Sequence, residues 1–392
     1  MADCERERAL LYQHLNKYSH NEESRGKWRV QSSPLGGRGV YATRRISKGA
    51  LIFINAPLLV GPRPNTAEES FCAMCFTISD ACFRCDVCGL NLCSESCRSY
   101  DTHVRECKFL QANWIPKLEL NTARKLLPFA VIYLRSLRLS EENISLLSML
   151  QKSKQRDDSV ELKKLIEAYE IPNEQIDYMK YVYSILKVNS FRVSGNDIGN
   201  KVQLRGLYPA SSFLNHSCVP NTRNVFAGDY TMAVYAAVDI APGEEILTCY
   251  TGLLLGTPSR RHHLFVTKGF WCTCRRCGDT TENGTRLSAI NCLDKYCAGV
   301  LLPVSPLDHT SHWSCDKCET KVQSSRIDMV FGVVGSLLNS LNLDGQLKLD
   351  SQILERLVDL VPFCSHVFVD LKLRLALKLG FANRRMIGTL LE

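Results

Sequence analysis

YPASSFLNHSCVPNT, residues 208–222, sets four polar or reactive side chains, Asn215, His216, Ser217 and Cys218, inside an otherwise apolar run. Polar groups crowded in this way need partners, because burying one unpaired costs on the order of 1–3 kcal/mol. Taken alone, the stretch reads equally well as a buried, hydrogen-bonded turn. Its company changes that. GGRGVYAT begins at Gly36, GEEILTCY at Gly243 and FWCTCRRC at Phe270, so glycine turn, polar crowd, acidic turn and cysteine triplet follow in a specific order.

Working outward, Trp28 to Gly61 alternates short β-like runs with glycine and proline turns, and the β pattern returns from Asn189, where VYAAVDIAPGEEILTCYT carries a Pro-Gly turn between two runs. Between them, Phe109 to about Lys187 repeats apolar residues at helical spacing, as in Leu126, Leu127, Ala130, Tyr133 and Leu134. Thr257-Pro258 marks a cap and first turn for a helix through Lys268. The final segment, with MVFGVVGSLLNSL and ILERLVDLVPF, is expected to be helical.

The chain has 392 residues, 45% of them apolar and 22% charged, which predicts two or three domains around at least one sizeable core. No stretch has signal-peptide character and none offers about 18 uncharged apolar residues, so a soluble protein of nucleus and cytoplasm is expected, with no membrane partner. The net charge is +8, but Lys and Arg are dispersed. The two short runs, Arg44-Arg45 and Arg260-Arg261, read as solvated surface, and direct nucleic-acid binding is not expected. In a reducing compartment the 19 cysteines are better explained as metal ligands than as disulfides.

Their spacing supports this. Cys72-x2-Cys75, Cys85-x2-Cys88, Cys93-x3-Cys97 and His103-x3-Cys107 supply eight soft donors in four pairs, enough for two tetrahedral zinc ions. The first and third pairs are assigned to one ion, the second and fourth to the other, although Cys82 also stands at CxxC spacing from Cys85. Cys272, Cys274 and Cys277 offer three more thiolates. Cys292, Cys297, Cys315 and Cys318 offer a further four, with His309 and His312 as substitutes in what reads as a loop-rich stretch.

The segment ending CSESCRSYDTHVREC resembles the MYND finger, whose family pattern is the interleaved pairing and whose usual ligands are short, often proline-rich protein segments. Arg98 stands where that family usually has an aromatic residue or glutamine. The ordered motifs, over roughly residues 28 to 280, resemble the SET domain of protein lysine methyltransferases, and the inserted finger makes the chain similar to the SET and MYND (SMYD) family.

The resemblance implies an α+β fold: a β-rich SET domain split by a MYND finger and a helical insert, then a cysteine-rich post-SET region and a short helical C-terminal region. The divisions expected are an N-terminal helical segment (1–27), the first SET part (28–71), the finger (72–107), the helical insert (108–188), the SET core (189–256), the post-SET region (257–326) and the C-terminal helices (327–392). SMYD proteins usually end in a larger tetratricopeptide-like domain, so the last segment is expected to pack as a short cap on the SET core.

The resemblance further implies a monomeric enzyme that uses S-adenosylmethionine to methylate a lysine in a protein or peptide substrate. Gly37, Arg38, Gly39, Asn189, Ser212, Asn215, His216 and Phe270 match cofactor-binding positions, and Tyr250 matches the catalytic tyrosine, which also borders the cofactor. Cys218 would complete a zinc site with Cys272, Cys274 and Cys277. Phe191, Arg192 and Lys268 fall where the lysine channel is built, yet an aromatic residue is expected at Lys268 and Arg192 is bulky and charged. Those departures support an alternative, a non-catalytic adaptor or repressor that recruits partners. Tyr250, Asn215 and His216 oppose it.

Overall fold

In the computed structural model, residues 2–17, 26–63, 70–154, 159–193, 202–340 and 351–376 are described, and they form two compact units. One comprises residues 1–216, 220–248 and 267–269, the other 217–219, 249–266 and 270–392.

The first unit is built from short strands joined by turns. Trp28–Ser32 pairs antiparallel with Arg38–Ala42 across the glycine turn. Leu204–Leu207 lies between Leu59–Pro62 and Ser190–Val193, and Met232–Ala236 lies between Thr222–Phe226 and Leu51–Asn55. Both three-stranded sheets therefore pair residues that precede the cysteine-rich insert with residues that follow it. The N-terminal helix, Ala2–Asn16, buries Leu11 and Leu15, and its Tyr12 ring stacks on Trp28 at 4.5 Å.

Helices fill the expected middle block: Asp101–Asn113, Leu120–Arg124, Leu127–Ser136, Glu141–Ser148, Val160–Ala168 and Asn173–Asn189. Their starts are legible locally, since the Ser140 and Ser159 hydroxyls accept hydrogen bonds from the Asn143 and Leu162 backbone N–H groups. Leu127–Ser136 is apolar on nearly every side and accordingly buried. It crosses the Leu59–Pro62 strand so closely that a Cβ on Gly61 would sit 2.7 Å from the Ile132 Cβ.

The finger is less separate than an insertion suggests. Phe71, Phe76, Leu90 and Leu92 are almost fully buried and belong to the same core as Trp28, Phe53, Ile132 and Leu207. Arg135 donates to Ala73 O at 2.9 Å, and the Tyr230 hydroxyl donates to Cys75 O at 3.0 Å.

The second unit contains the helix Thr257–Lys268 over most of its length and an antiparallel sheet, Ile290–Asn291, Val300–Pro303, Trp313–Cys315 and Lys321–Val322. The expected loop-rich stretch is thus a small sheet with its own apolar cluster of Ile290, Leu301, Trp313, Val322 and Ile327. The strands are two to four residues long, too short for alternation to show in sequence. Helices Ser324–Ser340 and Ser351–Leu360 share a further cluster around Val334, Leu357 and Val361. Asn291 Nδ2 donates to Val358 O at 2.7 Å, which ties the sheet to the second of these helices.

The solvated-surface reading fails at one charge run. Arg44 and Arg45 are exposed, but Arg260 is completely buried and Arg261 is 8% exposed. Arg260 is enclosed by acceptors, while Arg261 donates to Cys272 O and Pro306 O and lies over the Trp271 ring.

Candidate functional site

Asn215 and His216 occupy a two-residue strand that pairs in parallel with Leu247–Thr248, bringing the 208–222 stretch against the acidic turn that starts at Gly243. Glu245 is the hub of this meeting. Its Oε1 accepts from Asn215 Nδ2 at 2.7 Å, while its Oε2 accepts from the Ser33 and Tyr41 hydroxyls, each at 3.1 Å. Asn215 Nδ2 also donates to Arg38 O at 2.9 Å, so one amide bridges both turns. Asn221 Nδ2 donates to Glu245 O at 2.8 Å, and Asn221 Oδ1 accepts from Leu247 N at 2.7 Å.

This clamp explains one glycine of the Gly37-Arg38-Gly39 turn. A Cβ at Gly39 would lie 2.1 Å from Glu245 Oε1 and 3.0 Å from Asn215 Nδ2. Gly37 has a left-handed φ of +66° and open space where a side chain would stand, which leaves its backbone approachable. The Arg38 side chain points elsewhere. It pairs with Glu7, donates to Met149 O at 2.6 Å and lies over the Phe213 ring.

Among the other candidate cofactor residues of this unit, Ser212 Oγ donates to Tyr208 O at 2.8 Å. Asn189 is buried, and its Nδ2 is committed to Gln151 O and Ile185 O, leaving Oδ1 as the atom available for a ligand. His216 is 6% exposed.

Of the candidate channel residues, Phe191 meets Tyr208 edge to face at 5.8 Å, and Arg192 is exposed. Lys268 is half-buried with its Nζ donating to Val188 O at 2.8 Å, and burial pushes its ammonium down to about 8.

In the second unit the Tyr250 and Phe270 rings meet edge to face at 6.5 Å. Tyr250 also packs against the cluster of Cys218, Leu264, Cys272 and Cys277. Phe270 is 36% exposed.

Sixteen of the candidate metal ligands gather into four groups, and within each group the donor atoms lie within 4.8 Å of one another. The groups are Cys72, Cys75, Cys93 and Cys97; Cys85, Cys88, His103 and Cys107; Cys218, Cys272, Cys274 and Cys277; and Cys292, Cys297, Cys315 and Cys318. A tetrahedron with zinc–sulfur bonds of about 2.3 Å has edges of about 3.8 Å. The sulfur pairs here fit it, at 3.5 Å for Cys218–Cys277, 4.0 Å for Cys218–Cys272, 3.6 Å for Cys292–Cys318 and 3.7 Å for Cys297–Cys315.

In the second group, the 2.6 Å contact of His103 Nδ1 with Arg98 O places the proton on Nδ1 and leaves Nε2, 3.6 Å from Cys88 Sγ, free to ligate. Cys82, His309 and His312 stand outside all four groups.

Two side chains central to these contacts were not anticipated from sequence. Glu245 sits in a Pro-Gly-Glu-Glu turn, where a carboxylate looks like ordinary turn polarity. Arg260 looked like surface charge. Only non-local pairing identifies either one.

A model of the family described as SET domain matches residues 37–251, more than half of the chain. SET domain-containing protein SmydA-8, isoform B, of Drosophila melanogaster is 33% identical over 383 residues, covering 93% of this chain and 82% of that protein. The N-lysine methyltransferase SMYD2 of Gallus gallus is 25% identical over 372 residues, covering 86% of this chain and 83% of its own length. The histone-lysine N-methyltransferase SMYD3 of Mus musculus is 26% identical over 312 residues, covering 74% and 71% respectively.

Proposed function

For a chain that belongs to the SMYD family of SET domain proteins, we propose the activity of an S-adenosylmethionine-dependent protein-lysine N-methyltransferase. The observation that carries this reading is the Glu245–Asn215 clamp, which fixes the glycine turn and the Asn215–His216 strand together. Relatives named as lysine methyltransferases support it. In this reading Gly37, Gly39, Asn189, Ser212, Asn215, His216 and Phe270 hold the cofactor, and the open backbone at Gly37 fits a ligand that must approach closely. Arg38 contributes its backbone, its side chain being engaged with Glu7, Met149 and Phe213.

The cofactor supplies a methyl group on a sulfonium. The target lysine must first lose its proton, which costs roughly 4 kcal/mol at neutral pH for an amine with a reference pKa near 10.4. An apolar channel reduces that cost, because desolvation disfavours the ammonium. With the cofactor bound, the Tyr250 hydroxyl would orient the neutral amine toward the methyl group for a single displacement. No residue need act as a dedicated general base, since the proton leaves to solvent before the displacement.

The four thiolate-rich groups fit zinc, which would hold their loops in place and take no part in the transfer. The finger is the docking module of this reading, and Val87, Tyr100 and Val104 are its exposed apolar side chains.

A second reading, a non-catalytic adaptor, is favoured by Lys268, whose ammonium is tied to Val188 O where the family is expected to place an aromatic ring. Titration calorimetry with S-adenosylmethionine separates the two. Binding by the native chain that is lost in Asn215→Ala, with methyl transfer to a peptide array, supports the enzyme; a native chain giving no heat overturns it.

A further inference from the structure

The Arg260 guanidinium has five N–H donors, and each one has an acceptor. Three go to Leu255 O, Glu282 Oε2 and Thr257 Oγ1, at 2.5, 2.8 and 2.7 Å. The other two go to sulfur: Nε to Cys218 at 3.3 Å and Nη2 to Cys277 at 3.7 Å. An ion pair with Glu282 would explain one of these contacts, and nothing in it requires the two sulfurs. Among the described residues, no sulfur in the other three groups accepts from a guanidinium or an ammonium; their recorded partners include backbone N–H groups and the hydroxyls of Thr77 and Thr320.

Four thiolates around a divalent zinc ion carry two net negative charges, and three of these four cysteines are buried. Uncompensated charge of that size is expensive away from water. Arg260 and Arg276 bring two positive charges, the latter through Cys218 O at 3.5 Å, and Glu282 returns one negative charge between them. We propose that Arg260 is the positioning residue of this centre: it neutralises and hydrogen-bonds two metal-bound thiolates, which makes this the last of the four centres to surrender its ion. The consequence reaches Cys218, two residues after His216, because the metal anchors that turn. None of this depends on whether the chain transfers methyl groups.

The zinc-loaded full-length protein is challenged with a chromogenic chelator while iodoacetamide labelling is followed by mass spectrometry. Cys218, Cys272, Cys274 and Cys277 should be labelled last, together with the slowest zinc equivalent. In Arg260→Met that equivalent should bind about 10- to 100-fold more weakly. Arg260→Lys should recover part of the loss, and Glu282→Gln, which keeps both guanidinium–sulfur contacts, should stay within a few-fold of wild type. Labelling of these four cysteines before the other groups overturns the proposal, and so does Glu282→Gln losing zinc as readily as Arg260→Met. Should Arg260→Met not fold, the labelling order in the wild type and the Glu282→Gln affinity still decide it.

Discussion

Two single residues carry tests of their own, Tyr250 for the proposed transfer and Lys268 for the pH dependence of stability. Replacing Tyr250 with Phe leaves the edge-to-face contact with Phe270 but removes the hydroxyl. Methyl transfer should fall at least about 100-fold while S-adenosylmethionine affinity changes little, a split that single-turnover assay and calorimetry together would show. Burial holds the Lys268 ammonium near 8, below its ordinary value of 10.5. Between those two values the unfolded chain binds a proton that the native chain does not, so stability rises with pH across that window. Below pH 8 the full cost of burying the charge is present. Relative to Lys268→Met, the wild type should gain on the order of 2 kcal/mol between pH 7 and pH 10, measured by urea denaturation at each pH. At this scale the sequence was most readable where ligand spacing is motif-bound, as at Cys72, Cys75, Cys93 and Cys97, whose sulfurs gather as paired. It was misleading at Arg260, because buried and exposed arginines are written with the same letter and only their acceptors, far away in the chain, distinguish them.

The element that organises the candidate site is the two-residue parallel pair of Asn215–His216 with Leu247–Thr248. So short a pair has little ladder of its own, and its stability comes from the side chains around Glu245. Replacing Glu245 with Ala would remove the acceptor shared by the Asn215 amide and the Ser33 and Tyr41 hydroxyls and should destabilise the protein by about 2–4 kcal/mol, read from chemical denaturation. The same variant should weaken S-adenosylmethionine binding. Gly39→Ala should act in the same direction through the 2.1 Å approach of its new Cβ to Glu245. Helices were the easier elements to foresee. Their apolar spacing and serine caps are local, as at Ser140 and Ser159. The parallel pair and the four-stranded sheet from Ile290 to Val322 were not foreseeable, since two-residue strands have no period to detect and their partners are set by tertiary contacts.

Across the molecule, metal sites and apolar core are one system in the first unit. Phe76, Leu90 and Leu92 of the finger, with Phe71 just before it, are buried among SET residues, so losing the ion at Cys85, Cys88, His103 and Cys107 should loosen more than the finger. In Cys85→Ala, hydrogen exchange should speed up in the Leu59–Pro62 and Leu204–Leu207 strands as well as in residues 72–107. Native mass spectrometry should count four zinc ions on the intact chain and three on Cys292→Ser. The ordering of motifs and ligand pairs was visible in the letters alone. That the finger lends apolar side chains to its neighbour's core was not, because Phe76 and Leu90 look identical whether they face inward to their own loop or outward to another element.

The strand pairings also set a timetable for synthesis. Leu51–Asn55 pairs with Met232–Ala236, and Leu59–Pro62 with Leu204–Leu207. A ribosome that has just released the finger has therefore made only one side of each sheet. The early strands must wait, with their edges open, until about a hundred or more further residues emerge, and pairings of such long sequence separation form slowly. Chaperone demand should therefore peak in mid-translation, and nascent chains stalled before residue 204 should be protease-sensitive at Leu51–Asn55 and Leu59–Pro62, however much zinc is supplied.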